Sequence, residues 1–234
     1  MSLPSSEIFV PRFRDECLLS RGTEVRDLLR VREETVLYVQ PCTSERGKLM
    51  ADIELRSGET ECIDSGTLCA LLEIHRRRFS ELKCSQNLGV AKLMWKGREI
   101  SIFKNGKIKI QRALNREEII RVANSVARLI WGAELCDICG QPALNCASGA
   151  CGKCVQEERV SIELDELPNA ELLRQSQINL QLARKAAPDE AERLLNMARY
   201  QALFFTIEAP RKEDAVPGLV LLAEALQSGV PPKS

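Results

Sequence analysis

Five of the ten cysteines in the chain fall within nineteen residues, as Cys136-x2-Cys139-x6-Cys146-x4-Cys151-x2-Cys154. Two cysteines separated by two residues can turn both sulfurs toward a single point. A glycine beside the pair, here Gly140 or Gly152, leaves backbone N–H groups free to bond thiolate sulfur. The pairs Cys136/Cys139 and Cys151/Cys154 supply four thiolates, enough for one tetrahedral zinc ion without Cys146. Yet Cys146-x4-Cys151-x2-Cys154 also has the plant-type ferredoxin spacing for a [2Fe–2S] cluster, with Cys136 or Cys139 as the fourth ligand. All five residues are candidate metal ligands, and spacing alone leaves zinc and an iron–sulfur cluster both open.

The other cysteines, Cys17, Cys42, Cys62, Cys69 and Cys84, are scattered, and each is expected to be a small buried hydrophobe. The opening residues have no continuous apolar stretch after a basic start, and no run approaches eighteen apolar residues. Cytoplasmic thiols, reduced or ligated to metal, are therefore expected in place of a disulfide framework.

Lys and Arg total 33 and Asp and Glu total 33, so no global charge favours nucleic acid or anionic lipid. With one histidine, His75, a Ser-His-Asp triad and a HExxH metalloprotease are excluded, and no nucleotide-binding glycine loop is present. His75 itself is expected half-buried on the apolar side of a helix, Thr67 to Arg78. The run Arg76 to Arg78 is expected to be a solvated helix end. No catalytic residue stands out, and a reactive cysteine in Cys151-Gly152-Lys153-Cys154 has only Lys153 to lower its pKa.

These residues need a frame, and alternation and helical spacing supply one. Residues 1 to about 21, with Pro4 and Pro11, are expected as a surface arm, followed by a helix from Thr23 to Arg32 and a strand from Thr35 to Gln40. Leu49 to Gly58 alternates like a half-buried strand. After the helix that carries His75, three strands are expected at Val90 to Trp95, Arg98 to Phe103 and Lys107 to Arg112, joined through Lys96-Gly97 and Asn105-Gly106. Asn115, three residues before Glu118, caps a helix with one apolar face that ends near Gly132. After Cys154 a strand, Val155 to Leu164, precedes two amphipathic helices, Asn169 to Ala186 and Asp189 to Ile207, expected as an antiparallel hairpin. A last short helix is expected at Leu219 to Leu226, after Pro217-Gly218.

The run IFKNGKIKIQRALNREEIIRVANSVARLIWG (Ile102 to Gly132) resembles the strand, turn, strand and amphipathic helix that close each half of the TATA-box-binding-protein fold. Leu49 to Trp95 resembles the earlier strand and helix. Only one half is present, and the DNA-gripping saddle of that family needs two. A single half followed by a cysteine segment is similar to the N-terminal architecture of archaeal phosphoadenosine-phosphosulfate-reductase-like proteins. That resemblance implies an iron–sulfur cluster on the segment that contains Cys136 to Cys154.

The fold expected is α+β: an antiparallel sheet with helices on one face, a cysteine-rich metal loop and a C-terminal helical hairpin. Its divisions are an extension (1–48), a half-TATA-binding-protein-like domain (49–133), a metal-binding segment (134–165) and a helical region (166–234). The favoured function is a cytoplasmic accessory or electron-transfer protein that carries one iron–sulfur cluster and docks to a partner protein through its C-terminal helices. The alternative is a zinc-stabilised interaction module with at most weak nucleic-acid affinity. A membrane partner is not expected, and catalysis is less expected than binding.

Overall fold

A computed structural model describes residues 7–20, 31, 33–39, 48–55, 61–209 and 211–228. The expected helix from Thr23 to Arg32 and Cys42 lie outside these, apart from Val31, which is not helical. In chain order the elements are β1 (Glu7–Phe13), β2 (Val36–Val39), β3 (Leu49–Glu54), α1 (Ser65–Ile74), β4 (Glu81–Ser85), β5 (Val90–Trp95), β6 (Arg98–Phe103), β7 (Lys107–Ala113), α2 (Arg116–Ile130), α3 (Ala143–Ala147), β8 (Val155–Glu163), α4 (Ala170–Ala183), α5 (Pro188–Glu208) and α6 (Lys212–Gln227). The chain divides into two compact units, Val25–Cys136 and a second built from Met1–Glu24 with Asp137–Ser234. The class is α+β.

In the first unit six antiparallel strands pair in the order β2-β3-β7-β6-β5-β4. Register follows from alternation, because a slip by one residue would turn every apolar side chain to the wrong face. Ile53, Ile108, Ile102, Ala91 and Cys84 stand opposite one another across five strands, and Ala51, Ile110, Ile100, Leu93 and Leu82 form the next row. Eight of those ten are no more than 3% exposed. Helices α1 and α2 pack on this sheet and on each other. Helix α2 buries Ile119, Ala123, Val126, Ala127 and Ile130, and at its start Asn115 Oδ1 accepts the Glu118 N–H at 2.8 Å. The Glu118 carboxylate reaches back to the Leu114 N–H (2.7 Å) and to Arg98 (2.9 Å), which hold its pKa low despite partial burial. The hairpin turns are the expected ones, with Lys96, Gly97 and Gly106 at φ of 49°, 77° and 80°.

Four local expectations change. The meander has four strands, because ELKCS pairs with Val90 to Met94 as the edge strand β4. The helix before it ends at Ile74, His75 caps it, and Arg76 to Arg78 form a 3-10 turn in which Arg76 pairs with Glu73. Cys69 on α1 and Cys84 on β4, expected as reduced thiols, form a disulfide with Cα atoms 5.6 Å apart. Cys84 lies on the helix-facing side of its strand, in line with Ala91, which is why it meets α1. His75 is fully buried, and burial, reinforced by Arg78, lowers its pKa to about 4.

In the second unit the expected surface arm is a strand: β1 pairs antiparallel with β8 from Glu7↔Glu163 to Phe13↔Val155. A two-stranded ribbon tolerates Pro11, since an edge position does not need the missing N–H. Helices α4, α5 and α6 pack in sequence, and α6 also packs against α3 and β1. Ser176 donates to the Ala198 carbonyl (3.0 Å), and Asn179 donates to Gln201 (2.8 Å), which satisfies the polar groups between α4 and α5. Helix α6 begins at Lys212, seven residues before the expected start, with Pro217 inside it. Packing overrides the breaker. A Cβ on Gly218 would lie 2.4 Å from Thr206 Oγ1 and 2.9 Å from the Ala202 carbonyl, so glycine lets α6 sit directly on α5.

Candidate metal centre

The segment after Asp137 holds little regular structure; α3 is five residues long. Turns deliver its sulfurs. Gly140, at φ 68°, follows Cys139, α3 carries Cys146, and Gly149, at φ 82°, turns the chain back before Cys151. The Cys154 N–H points at Cys151 Sγ at 3.3 Å, the amide-to-sulfur contact expected of a CxxC turn. Helix α6 braces this arrangement through α3.

The β1–β8 pairing adds a residue that spacing did not indicate. Phe13 lies opposite Val155, so the turn after β1 runs beside the residues just before β8. There the Arg14 N–H donates to the Cys154 carbonyl (2.9 Å) and the Cys17 N–H donates to the Arg14 carbonyl (2.9 Å). Cys17, expected to be an ordinary packed thiol, is thereby set among the cysteines. Nothing along the chain signals this, because the neighbour is made by strand pairing between distant segments.

The sulfurs fall into two groups of three, Cys139/Cys146/Cys151 and Cys17/Cys136/Cys154, with the sulfurs of each group all within 4.8 Å of one another. Cys136 reaches its place as the residue bonded to Asp137, the first of the segment. Within the first group Cys139 Sγ and Cys146 Sγ are 3.5 Å apart. A Cys17–Cys146 contact and a Cys151–Cys154 contact join the two groups. The five sequence candidates all fall in these groups and Cys17 makes a sixth, but each CxxC pair is split between the groups and Cys146 is a member of one, unlike the expected zinc site made of Cys136/Cys139 and Cys151/Cys154 without Cys146.

Cys139 is half-buried and the other five are at most 3% exposed. The hydrogen bond with Cys17, then burial, then the bond with Cys139 push the Cys146 thiol far up. At Cys151 burial acts upward but is outweighed by the Cys154 N–H, the Cys139 thiol and the Lys153 N–H, and its pKa falls. Burial and thiol neighbours thus oppose ionisation at Cys146, while N–H and thiol donors favour it at Cys151. A bound cation would offset the cost of ionising Cys146 and turn the crowding into coordination. These cysteine groups could hold a metal ion.

The chain matches no family model, no curated protein and no solved structure. Chemistry at the cysteines therefore carries the functional argument. Among the described residues no helix is long and apolar enough to cross a membrane.

The remaining cysteine in the described residues, Cys62, is buried in the sheet unit, where its backbone N–H donates to Lys104 and its carbonyl accepts from Leu135. It is the small packed thiol that was expected. A shallow hollow beside the cluster, bordered by Arg14, Glu16, Ile138 and Lys153, leads to Cys17 and Cys154.

Proposed function

We propose that this protein is a zinc-stabilised interaction module in which the cysteine groups fix the frame of the unit that bears α4, α5 and α6. The observation that carries the reading is the compactness of each sulfur group. Zinc–thiolate bonds of about 2.3 Å in a tetrahedron place sulfurs about 3.8 Å apart. The Cys139–Cys146 separation of 3.5 Å and the 4.8 Å limit within each group suit ligands that share one ion. An iron–sulfur cluster interposes irons and bridging sulfides, so some of its four terminal thiolates must stand further apart. Electron transfer through such a cluster is the second reading, favoured by the Cys146-x4-Cys151-x2-Cys154 spacing.

The sheet unit fits a presenting scaffold. Its order of strand, helix, antiparallel meander and closing helix, with both helices on the isoleucine face, supports the half-TATA-binding-protein reading. Its opposite face carries Lys83, Lys92, Lys107 and Lys109 against Glu54, Glu81, Glu99 and Asp52, a balance that gives nucleic acid no cationic track. A protein partner at the C-terminal helices has exposed Leu182, Met197 and Tyr200 to meet. Metal content and absorption of the full chain, purified without oxygen, test the reading. Zinc in a colourless protein is expected; iron with a brown colour would replace zinc by the electron-transfer reading.

A further inference from the structure

The geometry points to a two-metal site: six thiolates hold two zinc ions per chain, Cys17 is a ligand, and two sulfurs are shared between the ions. The inference rests on the zinc reading and goes beyond it in the number of ions and in assigning Cys17. One tetrahedral ion takes four thiolates. The unit formed by Met1–Glu24 and Asp137–Ser234 alone supplies five, Cys17, Cys139, Cys146, Cys151 and Cys154, and Cys136 at its edge makes six. A one-ion site would leave two buried sulfurs packed against bound thiolates with no cation of their own.

Coordination counting resolves this. Two tetrahedral ions have eight positions, and six thiolates fill eight positions when four bind one ion each and two bridge both. The observed arrangement has that form, since the sulfurs divide three and three and each three can share an ion. The sulfurs in contact across the groups, Cys146 with Cys17 and Cys151 with Cys154, are where bridges belong. Half-buried Cys139 suits a terminal ligand. Bridging lowers the charge as well: six thiolates and two Zn²⁺ leave −2 on the cluster, and Arg14 and Lys153 border the hollow beside it.

Cys17 thereby changes meaning. It is held by hydrogen bonds in the turn that follows β1, so an ion bound there ties β1 to the start of β8 as well as closing the cysteine segment.

The test uses the full chain, stripped of metal and reduced at the cluster without oxygen, then titrated with cobalt(II) chloride while thiolate-to-metal absorption is followed. Zinc bound at saturation is counted by native mass spectrometry. Absorption that rises to two equivalents and two zinc ions per chain are expected, and Cys17→Ser should halve the tightly bound zinc. Should that variant fold poorly, alkylation of the wild type serves: Cys17 should be protected in the zinc-loaded protein and become reactive when a chelator removes the metal. Saturation at one equivalent, or Cys17 alkylated at the same rate with and without zinc, would overturn the two-ion site and leave the zinc reading standing. Iron in place of zinc would overturn both.

Discussion

The two units use cysteine in opposite ways. In the sheet unit, Cys69 and Cys84 form one disulfide at the end of a row of isoleucines that already fills the core. The sheet's register and apolar face specify the structure, and the bond is added to it. In the other unit the cysteine segment has one five-residue helix and no apolar rows of its own, and its sulfurs crowd together instead of bonding in pairs. Where a core fixes positions, one crosslink suffices. Where turns must fix them, the proposed zinc would specify the geometry, and on that reading the segment's stability is coupled to metal.

That contrast can be broken first at the metal. Removal of the metal at neutral pH should cost the cysteine segment on the order of 10 kcal/mol. Hydrogen exchange should show amides from Leu144 to Val155 losing protection while Ile100, Ile102, Ile108 and Ile110 keep theirs. Equal loss in both would erase the distinction.

Acid should act on the sheet unit through His75. Its folded pKa lies near 4 against an ordinary 6.5, so the unfolded chain takes up the proton first and stability falls as pH drops from about 6.5 to about 4. The slope is at most about 1.4 kcal/mol per pH unit, roughly 3 kcal/mol in all. Denaturant unfolding followed by Trp95 and Trp131, both in this unit, should show it, and His75→Gln should flatten it. A wild-type profile that stays level down to pH 4 would contradict the buried neutral histidine.

A smaller change separates the two kinds of cysteine. Replacing Cys69 and Cys84 together by serine should cost the sheet unit up to about 3 kcal/mol, the chain-entropy value for a closed loop of 15 residues. Metal content should not move. Loss of metal in that variant would mean that the two sites are not independent. Smallest is Asn115→Ala, which removes the cap of α2 and should lower the sheet unit's stability by about 1 kcal/mol. Thermal melting would register it, and an unchanged Tm would show that the Glu118 contacts carry the cap alone.

How much of this was legible in the sequence depends on the range of the interactions. Asn105-Gly106 and the Asn115 cap are local devices, set by residues one to three apart, and they stand where the sequence puts them. The CxxC pairs do not act as units: Cys136 groups with Cys154 and Cys139 with Cys151, because the grouping follows the turns and the β1–β8 pairing more than the spacing within each pair. Strand β4 carries little local signal because ELKCS is short and half polar, an edge strand that owes its place to Val90 to Met94. Pro11 and Pro217 read locally as breakers, yet one sits in a two-stranded ribbon and the other in a helix held by the close approach at Gly218. Cys17 and the Cys69–Cys84 bond were hidden for the same reason. Each needs a partner that only strand order and helix packing bring near, and no spacing rule reports that.

The most direct measurement is X-ray absorption at the zinc edge on the full chain as purified without oxygen. Zinc bound by the cysteine groups should show a first shell of sulfur alone at about 2.3 Å. Nitrogen or oxygen neighbours at about 2.0–2.1 Å, or no zinc signal, would contradict it.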